Sequence, residues 1–253
     1  MKNPTIKSAL VLSIASMIGC ATPYKVADNS ADVRVKERYT TMPSPADNID
    51  SVSSWRAPDG KTWLFASAKD VDNLVVFDAD SGAHLRRVGG PGLGLGQFER
   101  PNGITVIDDL LFVVERDNHR VQVLSLPELK PLILFGTEQL RVPYGLWIER
   151  SGAKTYEVYV TDSYQLADGS PPPLAQLSER VKHYRINLRD GQLLATHVGS
   201  FGDTGTSGAL RWVESIYGDR ANGRLLIAEE FLDSGSTLRV YDMAGEYLGV
   251  DLD

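Results

Sequence analysis

Four stretches of the chain share one pattern, a short run of apolar residues that then turns polar. They are Leu64-Phe65-Ala66-Ser67-Ala68-Lys69, Leu111-Phe112-Val113-Val114-Glu115-Arg116, Val158-Tyr159-Val160-Thr161-Asp162-Ser163 and Leu225-Leu226-Ile227-Ala228-Glu229-Glu230, with starts spaced by 47, 47 and 67 residues. Each is followed by a second segment rich in β-branched and aromatic residues: Leu74 to Phe77, Val121 to Leu124, Val181 to Tyr184 and Leu238 to Tyr241. A turn leads to a third segment, ending at Val88-Gly89, Phe135-Gly136, Val198-Gly199 and near Leu248-Gly249. A further strand precedes each unit: Val52 to Trp55, Ile104 to Ile107, Leu146 to Glu149, and Ile216 onward. Four strands per unit at this spacing predict an all-β propeller of four-stranded antiparallel blades, because one such sheet buries both its faces only against neighbours. The expected blades cover about 46–90, 101–136, 143–199 and 212–253.

The third unit is longer because of residues between Ser163 and Arg180. Its Asp168-Gly169-Ser170-Pro171-Pro172-Pro173 stretch removes ladder donors and predicts a surface loop. The run Gly89-Gly90-Pro91-Gly92-Leu93-Gly94-Leu95-Gly96-Gln97-Phe98 lacks the Lys-Ser/Thr ending of a phosphate loop and opens no helix. Together with Arg100-Pro101-Asn102-Gly103-Ile104 and Asp117-Asn118-His119-Arg120-Val121-Gln122-Val123 it resembles an NHL-type repeat. That resemblance covers about one blade and bears on fold, not function.

Ahead of the repeats, Lys2 and Lys7, the apolar stretch Ala9 to Ile18, then Gly19 and Cys20 have the order of a secretory signal. Met17-Ile18-Gly19-Cys20 resembles a bacterial lipobox, which implies residues 1–19 as signal peptide and Cys20 as a lipidated first mature residue. Residues 20–45 then read as a polar tether, and the expected location is the bacterial cell envelope. A lipid anchor at Cys20 would hold the protein there, on the outer membrane facing the periplasm or the exterior. Cys20 is the one cysteine, so no intramolecular disulfide can form. The net charge of -7 argues against nucleic acid as a partner and suits binding of metal cations.

In a propeller the loop entering the innermost strand and the loop leaving the second strand open on one face. The first position, read down the repeats, holds Asp50, Asn102, Tyr144 and Glu214; the second holds Lys69, Arg116, Ser163 and Glu230. Oxygen ligands and cations thus share one rim. Such a mixture suits a cation-bridged phosphate, and equally suits solvated strand ends that pair with each other across the channel mouth.

Around these positions the chain resembles the β-propeller phytases, six-bladed calcium-dependent enzymes that remove phosphate from myo-inositol hexakisphosphate. The resemblance lies in Glu214-Ser215-Ile216-Tyr217-Gly218-Asp219 followed by Gly223-Arg224-Leu225-Leu226-Ile227-Ala228-Glu229-Glu230, in Asp50 through Trp55, in Lys69 with Leu74-Val75-Val76-Phe77-Asp78, in Arg116 and in Tyr144-Gly145. It implies Ca²⁺ as cofactor, with Asp50, Tyr144, Glu214 and Glu230 as ligands. It also implies Lys69 and Arg116 as phosphate-binding groups, and catalytic roles for Lys69, Arg116 and Glu230 on a small phosphoester. Ser51 stands where the family has a second aspartate, and Ser163 where it usually has a further lysine. The family's blade number implies that these four units are the N-terminal part of such a ring, with closure as a four-bladed ring the alternative.

The implied reaction is calcium-assisted phosphomonoester hydrolysis by water, with Lys69 and Arg116 on the phosphoryl oxygens. The chain has no Gly-x-Ser-x-Gly elbow and no paired-histidine metal motif, and its histidines, His84, His119, His183 and His197, are scattered. The alternative reading is a non-catalytic NHL-like scaffold that binds a protein or glycan in the envelope.

Overall fold

A computed structural model describes residues 35–230 and 236–252. The leader, the lipobox and Cys20 lie outside the described residues. The chain divides into a first unit, Met1–Arg38, and a second, Tyr39–Asp253. The second unit contains the strands.

Among the described residues these form four antiparallel sheets of four strands, each following sequence order. Blade 1 is β1 (Ile49–Arg56), β2 (Thr62–Ala68), β3 (Asn73–Asp78) and β4 (His84–Gly89). Blade 2 is β5 (Pro101–Ile107), β6 (Leu110–Glu115), β7 (Arg120–Ser125) and β8 (Pro131–Phe135). Blade 3 is β9 (Pro143–Gly152), β10 (Thr155–Asp162), β11 (Val181–Arg189) and β12 (Gln192–Phe201). Blade 4 is β13 (Val213–Asp219), β14 (Arg224–Glu229), β15 (Thr237–Asp242) and β16 (Tyr247–Leu252). The first strands pack in succession, β1 on β5, β5 on β9 and β9 on β13. Among the described residues no comparable packing joins β13 to β1.

The apolar runs are explained by what lies on either side of each sheet. Successive side chains of a strand point to opposite faces. In β6, Leu111 and Val113 enter the core shared with blade 1, beside Phe65, Leu74 and Val76. Phe112 and Val114 enter the core shared with blade 3, beside Val158, Val160 and Tyr184. A strand buried on both faces has no polar alternation, which is why residues 111–114 are all apolar. Each such side chain contributes about 1.5–3 kcal/mol by leaving water. A third core, with Tyr159, Val213, Leu225, Ile227 and Tyr241, joins blades 3 and 4.

Three details refine the sequence reading. The fourth blade's last strand runs through Leu248-Gly249 to Leu252 instead of ending there. Tyr39 already belongs to the propeller unit: its hydroxyl donates to Ala79 O at 2.6 Å, and its ring fills the space beside Gly82. The insertion after Ser163 carries a single 3-10 turn, Leu174–Gln176, and ends at Arg180, which is fully buried. Arg180 donates to the carbonyls of Asp162, Tyr164, Leu210 and Arg211, tying the insertion to the loop that enters blade 4.

The glycine-rich loop is held in the opposite sense to a phosphate loop. Arg120 donates to the carbonyls of Leu93, Gly94 and Gln97, so those groups of the loop are consumed as acceptors. Glu115, with no exposed surface, accepts from Asn118, Arg120 and Gln122. Burial pushes its carboxyl up while these donors pull it down.

Candidate functional site

Every innermost strand carries the same irregularity at its start. Four residues of the first strand stand opposite three of the second: Ile49 to Val52 opposite Ala68 to Ala66, Pro101 to Ile104 opposite Glu115 to Val113, Pro143 to Leu146 opposite Asp162 to Val160, and Val213 to Ile216 opposite Glu229 to Ile227. Each is a β-bulge, and a bulge re-aims side chains at a strand end. The bulged pairs are Asp50-Ser51, Asn102-Gly103, Tyr144-Gly145 and Glu214-Ser215. The first member of each is the rim residue that the repeat register singles out.

In blades 2 and 3 the second member is a glycine against which the next blade stands. A Cβ on Gly103 would lie 2.6 Å from Tyr144 O, and one on Gly145 would lie 2.6 Å from Glu214 O. The bulges of blades 2, 3 and 4 therefore touch in series. Hydroxyls on the second strands satisfy the backbone that the bulge releases: Ser67 Oγ accepts from Ser51 N at 3.0 Å, and Thr161 Oγ1 accepts from Gly145 N at 2.8 Å while donating to Glu214 O.

The position before the outgoing rim residue is equally systematic. Glu115, Asp162 and Glu229 are buried one residue before Arg116, Ser163 and Glu230. Asp162 accepts from the backbone N–H groups of Arg141 and Val142, and Glu229 from those of Arg211 and Trp212. Neither acid faces the rim; each fixes the loop that enters its own blade. A carboxylate recurring at one repeat position was the sequence signal for this role.

The structure brings the six predicted site residues into two adjoining cavities. One, of about 350 Å³, is lined by Asp50, Lys69, Tyr144, Glu214 and Glu230; the other, of about 290 Å³, by Arg116, Tyr144, Ser163, Glu214 and Glu230. Tyr144, Glu214 and Glu230 form their common wall. Lys69 Nζ lies 2.8 Å from Asp50 Oδ1, and Arg116 Nε lies 2.7 Å from Asp117 Oδ1. The carboxyl of Glu214 is pushed up to about 7, by burial first and then by its hydrogen bond to Glu230 and the negative charges of Glu230 and Asp50, with Lys69 opposing. Burial raises the Tyr144 phenol, and the charge of Glu214 adds to this. Asn102, the fourth bulged rim residue, is fully buried and its carboxamide has no partner among the described residues. Trp212, His119 and Gln165 also line the cavity beside Arg116 and were not foreseen, because they lie outside the repeating positions.

A cation fits this rim in a limited way. Among the described residues no group of three His, Cys, Asp or Glu side chains is placed to hold a metal ion. The Glu214 and Glu230 pair nevertheless has the chemistry of a hard-cation site, since two carboxyls forced together retain a proton that a positive charge would displace. Such an ion would take most of its remaining oxygens from water or ligand.

The NHL repeat family matches residues 98–124, from the end of the glycine-rich loop through the third strand of blade 2. No curated protein matches the chain. Among solved structures, the chain is similar to the hydrazine synthase of Kuenenia stuttgartiensis, at 15% identity and a TM-score of 0.50 over 86% of this chain and 52% of that one. It is also similar to a catalytically inactive virginiamycin B lyase from Staphylococcus aureus with quinupristin, at 11% identity and a TM-score of 0.48 over 85% of this chain and 59% of that one. The chain thus spans about half the length of the first of these. At such identity the hydrazine synthase likeness bears on fold alone. It agrees, as does the NHL repeat, with the four packed sheets: the protein is a β-propeller.

Proposed function

We propose that the protein is a calcium-dependent phosphomonoester hydrolase acting on myo-inositol hexakisphosphate or a related phosphoester. The observation that carries the reading is the convergence of Asp50, Lys69, Arg116, Tyr144, Glu214 and Glu230 on two adjoining cavities from three separate blades and the loop of a fourth. Glu214 and Glu230 would hold Ca²⁺, with Asp50 and Tyr144 beside them. Bound there, the ion would supply charge neutralisation and acidify a coordinated water. Lys69 and Arg116, reoriented from Asp50 and Asp117, would donate to the phosphoryl oxygens as charge gathers on them. Glu230, on the same wall, would accept a proton from the attacking water. The leader and Cys20 would place this chemistry at the cell envelope behind a lipid anchor, which labelled-palmitate incorporation tests.

Phosphate release from myo-inositol hexakisphosphate, measured with Ca²⁺ and then with chelator, tests the reaction. Calcium-dependent release that Glu214→Gln abolishes supports it; no release from this or from a simple phosphomonoester such as phenyl phosphate, or release indifferent to Glu214→Gln, rejects it. The second reading is a non-catalytic envelope scaffold that binds a protein or glycan. It is favoured by the pairing of Lys69 with Asp50 and of Arg116 with Asp117, and by Ser163 in place of a further cation.

A further inference from the structure

The cavity beside Arg116 has three walls for which the proposed reaction has no use: His119, Gln165 and Trp212. They come from the turn between β6 and β7, the insertion after β10, and the segment entering β13. Among the described residues their side chains enter no hydrogen bond or ion pair. Trp212 is nevertheless firmly placed. Its backbone N–H donates to buried Glu229 at 3.2 Å, and its carbonyl accepts from Glu230 N at 3.0 Å, so its main chain is fixed next to Glu230, and its side chain lines the same cavity as Glu214 and Glu230. The half-buried indole and Val142 are the apolar groups among the otherwise polar residues that line this cavity.

The charge of this lobe limits what else the ligand carries. Arg116 faces three carboxyl groups, those of Asp117, Glu214 and Glu230, so one dication only brings the formal sum to zero. A ligand with many phosphates would meet no surplus of positive charge here.

We propose that this lobe selects a phosphomonoester with one phosphoryl group on an aromatic ring, the ring lying on Trp212 and the phosphoryl group at Arg116. The proposal rests on the phosphoester reading above and narrows its substrate class. Full-length protein with Ca²⁺ is titrated calorimetrically with phenyl phosphate, glycerol 2-phosphate and myo-inositol hexakisphosphate. The same titrations are made on Trp212→Ala and on Trp212→Phe, which keeps a ring. Phenyl phosphate should bind more tightly than the other two. Trp212→Ala should cost it about tenfold, the size of a lost stacking contact, while leaving glycerol 2-phosphate unchanged, and Trp212→Phe should retain most of the preference. Equal affinities in the native protein, tightest binding of the hexakisphosphate, or an equal loss for all ligands in Trp212→Ala overturns the proposal and leaves the phosphoester reading standing. No binding of any of the three, with or without Ca²⁺, overturns both.

Discussion

Glu214, in the bulge of β13, and Glu230, just past the end of β14, line the same wall of the rim, and burial together with the proximity of Glu230 raises the Glu214 carboxyl. The pair is therefore a store of repulsion that ionisation releases.

That repulsion has a pH signature. The folded carboxyl of Glu214 titrates near 7 against an ordinary 4.5, so the folded state binds more protons than the unfolded one between these values. Stability from this group is present at low pH and is lost as pH rises from about 4.5 to about 7. Thermal unfolding of Glu214→Gln and of the native protein across pH 4.5 to 8 should show a difference in Tm that favours the variant and grows with pH, levelling above about 7.

Calcium should act on the same repulsion. If Glu214 and Glu230 hold the ion, added Ca²⁺ raises Tm more at pH 8 than at pH 5, because protons compete for the ligands. Glu230→Gln should remove most of this Tm increase. A calcium effect that is independent of pH and survives Glu230→Gln places the ion elsewhere.

The contact between successive bulges predicts a cost for any added side chain. In Gly145→Ala the new methyl would stand 2.6 Å from Glu214 O and 3.1 Å from Ser215 Cα, both of them backbone. Overpacking of this kind costs about 1–3 kcal/mol, which urea denaturation measures. The displaced Glu214 should also weaken calcium binding, whereas Gly191→Ala, at a positive-φ turn with open space, should destabilise without touching the rim.

The blade 2 network should be sensitive to loss of one partner. Glu115→Ala leaves Arg120 buried without its carboxylate and should cost about 3–5 kcal/mol in chemical denaturation. Glu115→Gln, which still accepts hydrogen bonds, should cost less. Arg116→Ala, one residue on and facing the rim, should leave stability nearly unchanged while weakening phosphoester binding.

Much of the rim was legible because a repeat makes equivalent residues equivalent in space. Counting down the units was enough to bring Asp50, Tyr144 and Glu214 to one face, and Lys69, Arg116 and Glu230 to the same face. The division of labour between neighbours was less visible. Glu229 and Glu230 are identical in composition, yet the pleat turns one into the loop that enters β13 and the other into the cavity. Trp212 and Gln165 sit in connections of different length, where no register carries over from blade to blade.

Local pattern alone determined that this chain forms four-stranded blades, since apolar runs bounded by turns can be buried only between stacked sheets. Only the tertiary structure decided that Gly103 and Gly145 are crowded by the next blade, that Lys69 is paired with Asp50, and that Glu214 meets Glu230. The crowding of the glycines depends on distances between different blades, which no single repeat contains; the two side-chain pairings lie within blades 1 and 4, where the bulge of the first strand brings its rim residue beside the residue that follows the second strand.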